Sequence, residues 1–164
     1  MTPNLIVISG SSGAGKSSVL RLLEDEGYYC VDNLPPRLLP ELLMEISDDI
    51  EYERFRGIVV CVDARTVGFE PEDTPAALEQ LLSFPDGMII FLDAQPHVLL
   101  KRFSETRRRH PLAGPHNSLP EAIAKERKRL EFIAAKADLL VDTTDLTPSA
   151  LRDRITTRMA NRRD

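Results

Sequence analysis

The segment Gly10-Ser11-Ser12-Gly13-Ala14-Gly15-Lys16-Ser17 constrains this chain more than any other, because of what stands on either side of it. Leu5 to Ser9 is a short apolar run closing on glycine, which suits a strand buried on both faces of a parallel sheet. Lys16 to Glu26 carries Val19, Leu20, Leu22 and Leu23 at helical spacing. The order is therefore strand, glycine-rich turn, helix. Glycines let the turn bend until successive N–H groups point inward at an anion, and the helix that follows adds its positive end. The segment satisfies G-x-x-x-x-G-K-[ST] completely, a match expected by chance on the order of once in a hundred chains of this size. An innocent glycine turn is the bland alternative, and the flanking strand and helix argue against it. Read as a phosphate loop, Gly10 to Ser17 wraps the phosphates of ATP or GTP. Lys16 reaches the β and γ phosphates, and the Ser17 hydroxyl is placed to ligate Mg²⁺.

The rest of the chain repeats the alternation. Tyr28 to Val31, Gly57 to Val62, Gly87 to Leu92 and Leu139 to Val141 read as further strands. Between them, leucines 38, 39, 42 and 43 with Ile46 mark one helix, and Leu99, Leu100 and Phe103 another. Thr74-Pro75 opens a helix with Leu78, Leu81 and Leu82 on its apolar face. Ser118-Leu119-Pro120-Glu121 is a capping box launching a long helix with Ile123, Leu130 and Ile133 inward, and Thr147-Pro148 starts the last one. The expected fold is α/β: a kinase-like P-loop NTPase with a doubly wound, parallel, five-stranded sheet and helices on both faces. At 164 residues, the whole of 1–164 is expected to be a single domain.

A formal net charge of -5 excludes a surface built as a whole to hold nucleic acid. Cys30 and Cys61 lie inside apolar strand-like runs, so buried free thiols and a cytoplasmic location are expected. No apolar stretch approaches membrane-spanning length, and Met-Thr-Pro-Asn lacks the features of a signal peptide.

Three carboxylates follow strands. Asp63 and Asp93 are both candidates for the Walker-B position that holds the magnesium water shell. Asp63 is favoured because Arg65, two residues on, adds a guanidinium for phosphate; either Asp could instead cap a turn. Asp32 would sit on the acceptor side of a kinase-like site, or form an Asx turn before Pro35. Arg107, Arg108 and Arg109 with Arg102 form the dense basic cluster, read as a lid that brings arginines, Arg108 above all, to the transferring phosphate. A solvated face is the plainer reading of that run. Asp142-Thr143-Thr144 lies where a base could be contacted, or is a helix-entry turn. His97, His110 and His116 show no metal-ligand spacing and are given no catalytic part.

Several segments together resemble the RapZ/YvcJ family: the phosphate loop, Gly27-Tyr28-Tyr29-Cys30-Val31-Asp32-Asn33-Leu34-Pro35, Val62-Asp63-Ala64-Arg65, Phe91-Leu92-Asp93-Ala94, and Arg102 through Leu112. The resemblance spans nearly the entire chain. It implies a bacterial cytoplasmic protein that binds and weakly hydrolyses ATP and GTP. In the best-known member it also implies an RNase adapter that presents a small RNA and senses an amino-sugar phosphate. The family's second nucleotide segment maps onto Asp63, Ala64, Arg65 and Thr66, with Ala64 and Thr66 departing from its pattern. From the residues themselves, Ser17 and Asp63 are the expected metal-binding pair, and Lys16, Asp63 and Arg108 the expected catalytic set. Family members are longer, so this chain is expected to be an N-terminal domain, with RNA and ribonuclease reached only through a C-terminal domain of the parent protein.

The leading expectation is thus a regulatory NTPase domain. A small-molecule kinase is the alternative, and a domain holding nucleotide as a purely structural ligand is a third reading. Homo-oligomerisation is left open.

Overall fold

Leu5 to Gly10 forms β1 (Leu5–Gly10), the central strand, and all six of its residues are buried. The structure is a computed structural model that describes residues 4–48, 50–65, 79 and 87–161. On one side β1 pairs with β3 (Ile58–Cys61), and β2 (Tyr29–Asp32) lies outside that. On the other side it pairs with β4 (Met88–Asp93), with β5 (Leu139–Asp142) outside. Every pair is parallel, and the five-stranded order is β2-β3-β1-β4-β5.

Alternation along the strands splits the core between two layers. Ile6 and Ile8 pack with Val19 and Leu23 of α1 (Lys16–Asp25), Leu99 of α3 (Pro96–Thr106) and Ile155 of α5 (Pro148–Ala160). Leu5 and Val7 face the other way, onto Leu39 and Leu43 of α2 (Leu39–Asp48) and Leu130 and Ile133 of α4 (Leu119–Ala135). The sheet is doubly wound, with helices on both faces, as the alternation predicts. Strand limits differ from the sequence-based ones by a residue or so at either end.

The helix starts are those written in the sequence. Ser118 Oγ accepts from the Glu121 amide while Glu121 accepts from the Ser118 amide, and Thr147 Oγ1 accepts from the Ala150 amide. Leu38 departs from expectation. It closes a single 3₁₀ turn (Pro36–Leu38) ahead of α2 and is exposed, since the prolines at 35 and 36 make a turn before the helix can begin. The helix expected from Thr74-Pro75, and the connection expected from Arg65 to Thr74 beyond its first residue, lie outside the described residues. Among the described residues no helix is long and apolar enough to cross a membrane.

The strand order positions the site. Chain connectivity fills β2 and β3 on one side of β1 and then β4 and β5 on the other, so the carboxyl end of β1 opens at the switch point. Val62 donates its amide to Ile8 O at 2.9 Å, and Ser11 donates its amide to Leu92 O at 3.1 Å. Those two bonds draw the ends of β3 and β4 against the start of the phosphate loop.

Candidate functional site

The loop leaves β1 through Gly10, whose φ is +146°; a Cβ there would lie 2.1 Å from the Leu92 carbonyl oxygen. Only glycine lets the chain pass this close to β4. Gly13 and Gly15 follow at φ +85° and +110°, left-handed conformations that turn the backbone back over itself. Gly15 caps α1 without a side chain, and among the described residues the amides of Gly13 and Gly15 donate to nothing. Orphan amides at a helix N-terminus suit an anion.

Lys16 lies beneath the loop, buried, with Nζ donating to Gly10 O at 2.7 Å and Ser11 O at 3.0 Å. Both of these partners are carbonyl oxygens, and among the described residues none is a carboxylate. The sequence assigned this side chain to phosphate; in the structure it ties the loop together. Ser17 and Ser18 are exposed on the first turn of α1. Beyond Ser18, a groove of about 390 Å³ runs between α1 and α5, lined by Arg21, Leu22, Pro148, Ser149 and Arg152.

Both candidate aspartates flank the loop, because β3 and β4 both neighbour β1. Asp63 is buried, and its carboxylate takes a multiple hydrogen bond from Arg65: Nε at 3.1 Å from each oxygen, Nη2 at 2.9 Å, and the Arg65 amide at 2.8 Å. Burial pushes this carboxyl up, but the Arg65 hydrogen bonds and the Lys16 charge outweigh it and hold it below the usual carboxylate range. Arg65 also stands 3.8 Å from Asp32. Asp93 accepts the Ser11 hydroxyl at 2.8 Å and pairs with Arg127 at 3.0 Å. Asp93 thus contacts the loop directly while Asp63 is held by Arg65, and Asp93 is no helix cap, since Gln95 holds that position for α3. Ala64 is buried and offers the site only backbone, while Thr66 lies outside the described residues.

The arginine cluster separates into two parts. Arg102 braces the site, donating to Gly13 O at 2.9 Å, Thr143 Oγ1 at 3.1 Å and Thr143 O at 2.7 Å. Thr143 is buried and donates to Ala14 O at 2.8 Å, so it clamps the loop to β5. Arg107, Arg108 and Arg109 begin the loop joining α3 to α4, are exposed, and make no ion pair among the described residues. Cys30 and Cys61 are free; Cys61 is buried as expected, but Cys30 is only half-buried because β2 is an edge strand, and desolvation still pushes the two thiols up to about 11 and about 12, so both stay protonated.

Two residues given no part by the sequence form a buried pair, one of which bonds to the loop. Glu126, on α4, is fully buried and accepts the Ser12 amide at 2.7 Å and the Ser12 hydroxyl at 2.6 Å. His110, also buried, places Nε2 at 3.3 Å from the same carboxylate. The signal lay in the stripe Ile123, Leu130, Ile133, which passes through position 126 at helical spacing.

Comparison with known proteins agrees with this architecture. Residues 3–163 match the RapZ-like N-terminal domain family. The "Nucleotide-binding protein" of Pseudomonas fluorescens is 47% identical over 158 residues, 96% of this chain and 55% of that protein. The "RNase adapter protein RapZ" of Photorhabdus laumondii is 41% identical over 160 residues, 98% of this chain and 55% of that protein. The chain therefore spans about half the length of the curated relatives it matches. Shikimate kinase from Acinetobacter baumannii superposes with a TM-score of 0.62 at 16% identity, covering 98% of this chain and 94% of the kinase, which makes the fold a kinase-like P-loop α/β fold. The chain belongs to the RapZ-like N-terminal domain family.

Proposed function

We propose that this chain binds ATP or GTP with Mg²⁺ on the Gly10 to Ser17 loop and hydrolyses it weakly, as the regulatory domain of a longer RNase adapter protein. The observation that carries the reading is the loop itself: left-handed glycines, open amides at Gly13 and Gly15, and a buried ammonium that, among the described residues, bonds to carbonyls and to no carboxylate. That donor set fits a polyphosphate. The exposed Ser17 hydroxyl, with Asp63 through water, is the pair that would hold Mg²⁺, which would neutralise charge on the phosphate oxygens. The groove beside Ser18 has room for the nucleoside at that end of the loop. Arg108, exposed on the loop between α3 and α4, is free to reach the terminal phosphate, and the segment Asp63, Ala64, Arg65 and Thr66 is the second contact we assign to the nucleotide.

In the parent protein, nucleotide state would alter contacts with a C-terminal domain that handles RNA and an amino-sugar phosphate. The charge supports that division. A net charge of -5 with three adjacent exposed arginines offers a few phosphate contacts, short of the six or so of tight RNA binding. Such a protein would work in the cytoplasm.

A kinase reading is favoured by one feature, Arg65 held between Asp63 and the exposed Asp32, which could present an acceptor to phosphate. One experiment separates the two: γ-labelled ATP or GTP is incubated with the protein and a metabolite extract. Label in free phosphate supports the regulatory NTPase, label in a small molecule supports the kinase, and absence of both turnover and binding refutes nucleotide use.

A further inference from the structure

Glu126 is hydrogen-bonded to the middle of the Gly10 to Ser17 loop. Both its oxygens are engaged by Ser12, one by the amide at 2.7 Å and one by the hydroxyl at 2.6 Å. It reaches them from the inward face of α4, between Ile123 and Leu130, and is wholly shielded from solvent. His110 holds it from behind. The Leu112 amide donates to His110 Nδ1 at 3.0 Å, so the other nitrogen, Nε2, is the one left to carry a proton toward Glu126 at 3.3 Å. The His110 ring packs on Phe103, centroids 5.2 Å apart, and Phe103 in turn lies beside Gly13. Burial pushes the Glu126 carboxyl up, but hydrogen bonds from His110 and Ser12 and the charge of Lys16 outweigh it, so the group is an anion at neutral pH.

This inference rests on the nucleotide reading above. With the nucleoside in the groove beside Ser18, the phosphates run along the loop away from α1, and the terminal one arrives at Ser12. Two anions cannot share one amide in a shielded site. We propose that Glu126 is an internal competitor for the terminal phosphate, holding the Ser12 amide and hydroxyl until a triphosphate displaces it and so frees His110 and the arginine loop that precedes it. A diphosphate stops short of Ser12 and leaves the contact intact. Glu126 is therefore a specificity-determining residue, and the loop from Arg107 to Ser118 is tied to whether a third phosphate is bound.

The test measures binding of the β,γ-imido analogues of ATP and GTP, and of ADP and GDP, by calorimetry with Mg²⁺. Wild type is compared with Glu126→Gln and with His110→Phe, which keeps the ring packing and loses the hydrogen bond. Glu126→Gln should tighten triphosphate binding by about tenfold or more, with diphosphate changed less than about threefold. His110→Phe should move the same ratio in the same direction by less. A ratio unchanged in both, or weaker triphosphate binding in Glu126→Gln, overturns the proposal; a purely structural Glu126 would shift both ligands alike. Melting curves establish folding first, and if Glu126→Gln does not fold, the ratio in His110→Phe decides. A wild type that binds no nucleotide sinks the nucleotide reading and this inference with it. A wild type that binds both, with variants of unaltered ratio, sinks this inference alone.

Discussion

Ser12 gives both its amide and its hydroxyl to a single carboxylate, Glu126, at 2.7 and 2.6 Å, across 114 positions of sequence. The loop is therefore shaped from two directions. Sheet geometry sets its start, where Gly10 passes Leu92, and α4 sets its middle. A carboxylate buried this way stays charged only because its partners outweigh its desolvation.

That balance gives a pH signature. The folded-state pKa of Glu126 is lowered, so its contribution to stability is fully present above the unfolded value of about 4.3 and is lost as pH falls through the folded value. Urea unfolding from pH 7 to 3 should show wild type more stable than Glu126→Gln by about 1 to 3 kcal/mol at neutral pH. The gap should narrow as pH falls below about 4.3 and close as pH passes the lower, folded-state value. A gap independent of pH would mean that the carboxylate is not held as an anion.

Arg102 and Arg108, read together in the sequence as one basic cluster, should behave differently. Arg102→Ala removes three hydrogen bonds, to Gly13 and Thr143, and should cost about 1 to 3 kcal/mol of stability. Arg108→Ala is expected to leave stability within about 0.5 kcal/mol. It should nevertheless lower kcat for hydrolysis by at least about tenfold, as loss of a transition-state arginine does. Unfolding curves and steady-state kinetics on the two variants check both halves; equal kinetics in Arg108→Ala and wild type would return that residue to the solvated face.

Asp63→Asn should slow hydrolysis more than it weakens binding, with kcat falling while nucleotide affinity changes by less than about threefold. It also loosens Arg65, half of whose side chain is already in water, so the stability loss should be modest, about 1 kcal/mol. Asp93→Asn acts on the Ser11 and Arg127 contacts instead. Loss of turnover in Asp93→Asn with none in Asp63→Asn would move the metal-shell role to β4.

Much of this was legible in the chain. β1, the loop and α1 were readable because an apolar run, glycines at fixed offsets and a helical stripe are each local signals, and Ser118 and Thr147 announced their helices through side-chain capping. Asp63 and Asp93 stood out as carboxylates closing apolar runs, and the structure puts Asp63 two residues past β3 and Asp93 at the end of β4. What was not legible depends on contact between distant segments. Arg102 read as part of a charge run, yet it folds back onto Gly13. Glu126 sits in Ala-Lys-Glu-Arg-Lys-Arg, a composition that looks solvated, and only the apolar stripe on either side of it placed it inward. His110 lacked metal-ligand spacing, and its partner is a carboxylate one helix away. Spacing rules find ligands of a common ion; they do not find a buried pair whose members meet only in the fold.

The central claim, that the Gly10 to Ser17 loop binds nucleotide through Lys16, is tested most directly by thermal and urea unfolding of wild type and Lys16→Ala with and without Mg-ATP or Mg-GTP. Removing Nζ also removes its bonds to Gly10 O and Ser11 O, so the unliganded variant should be weaker by about 1 to 3 kcal/mol. The deciding quantity is the gain on adding nucleotide. Wild type should gain about 2.7 kcal/mol at a hundredfold excess over its dissociation constant, and Lys16→Ala should gain far less at the same concentration. Equal gains in the two proteins, or none in wild type with either nucleotide, would contradict the account.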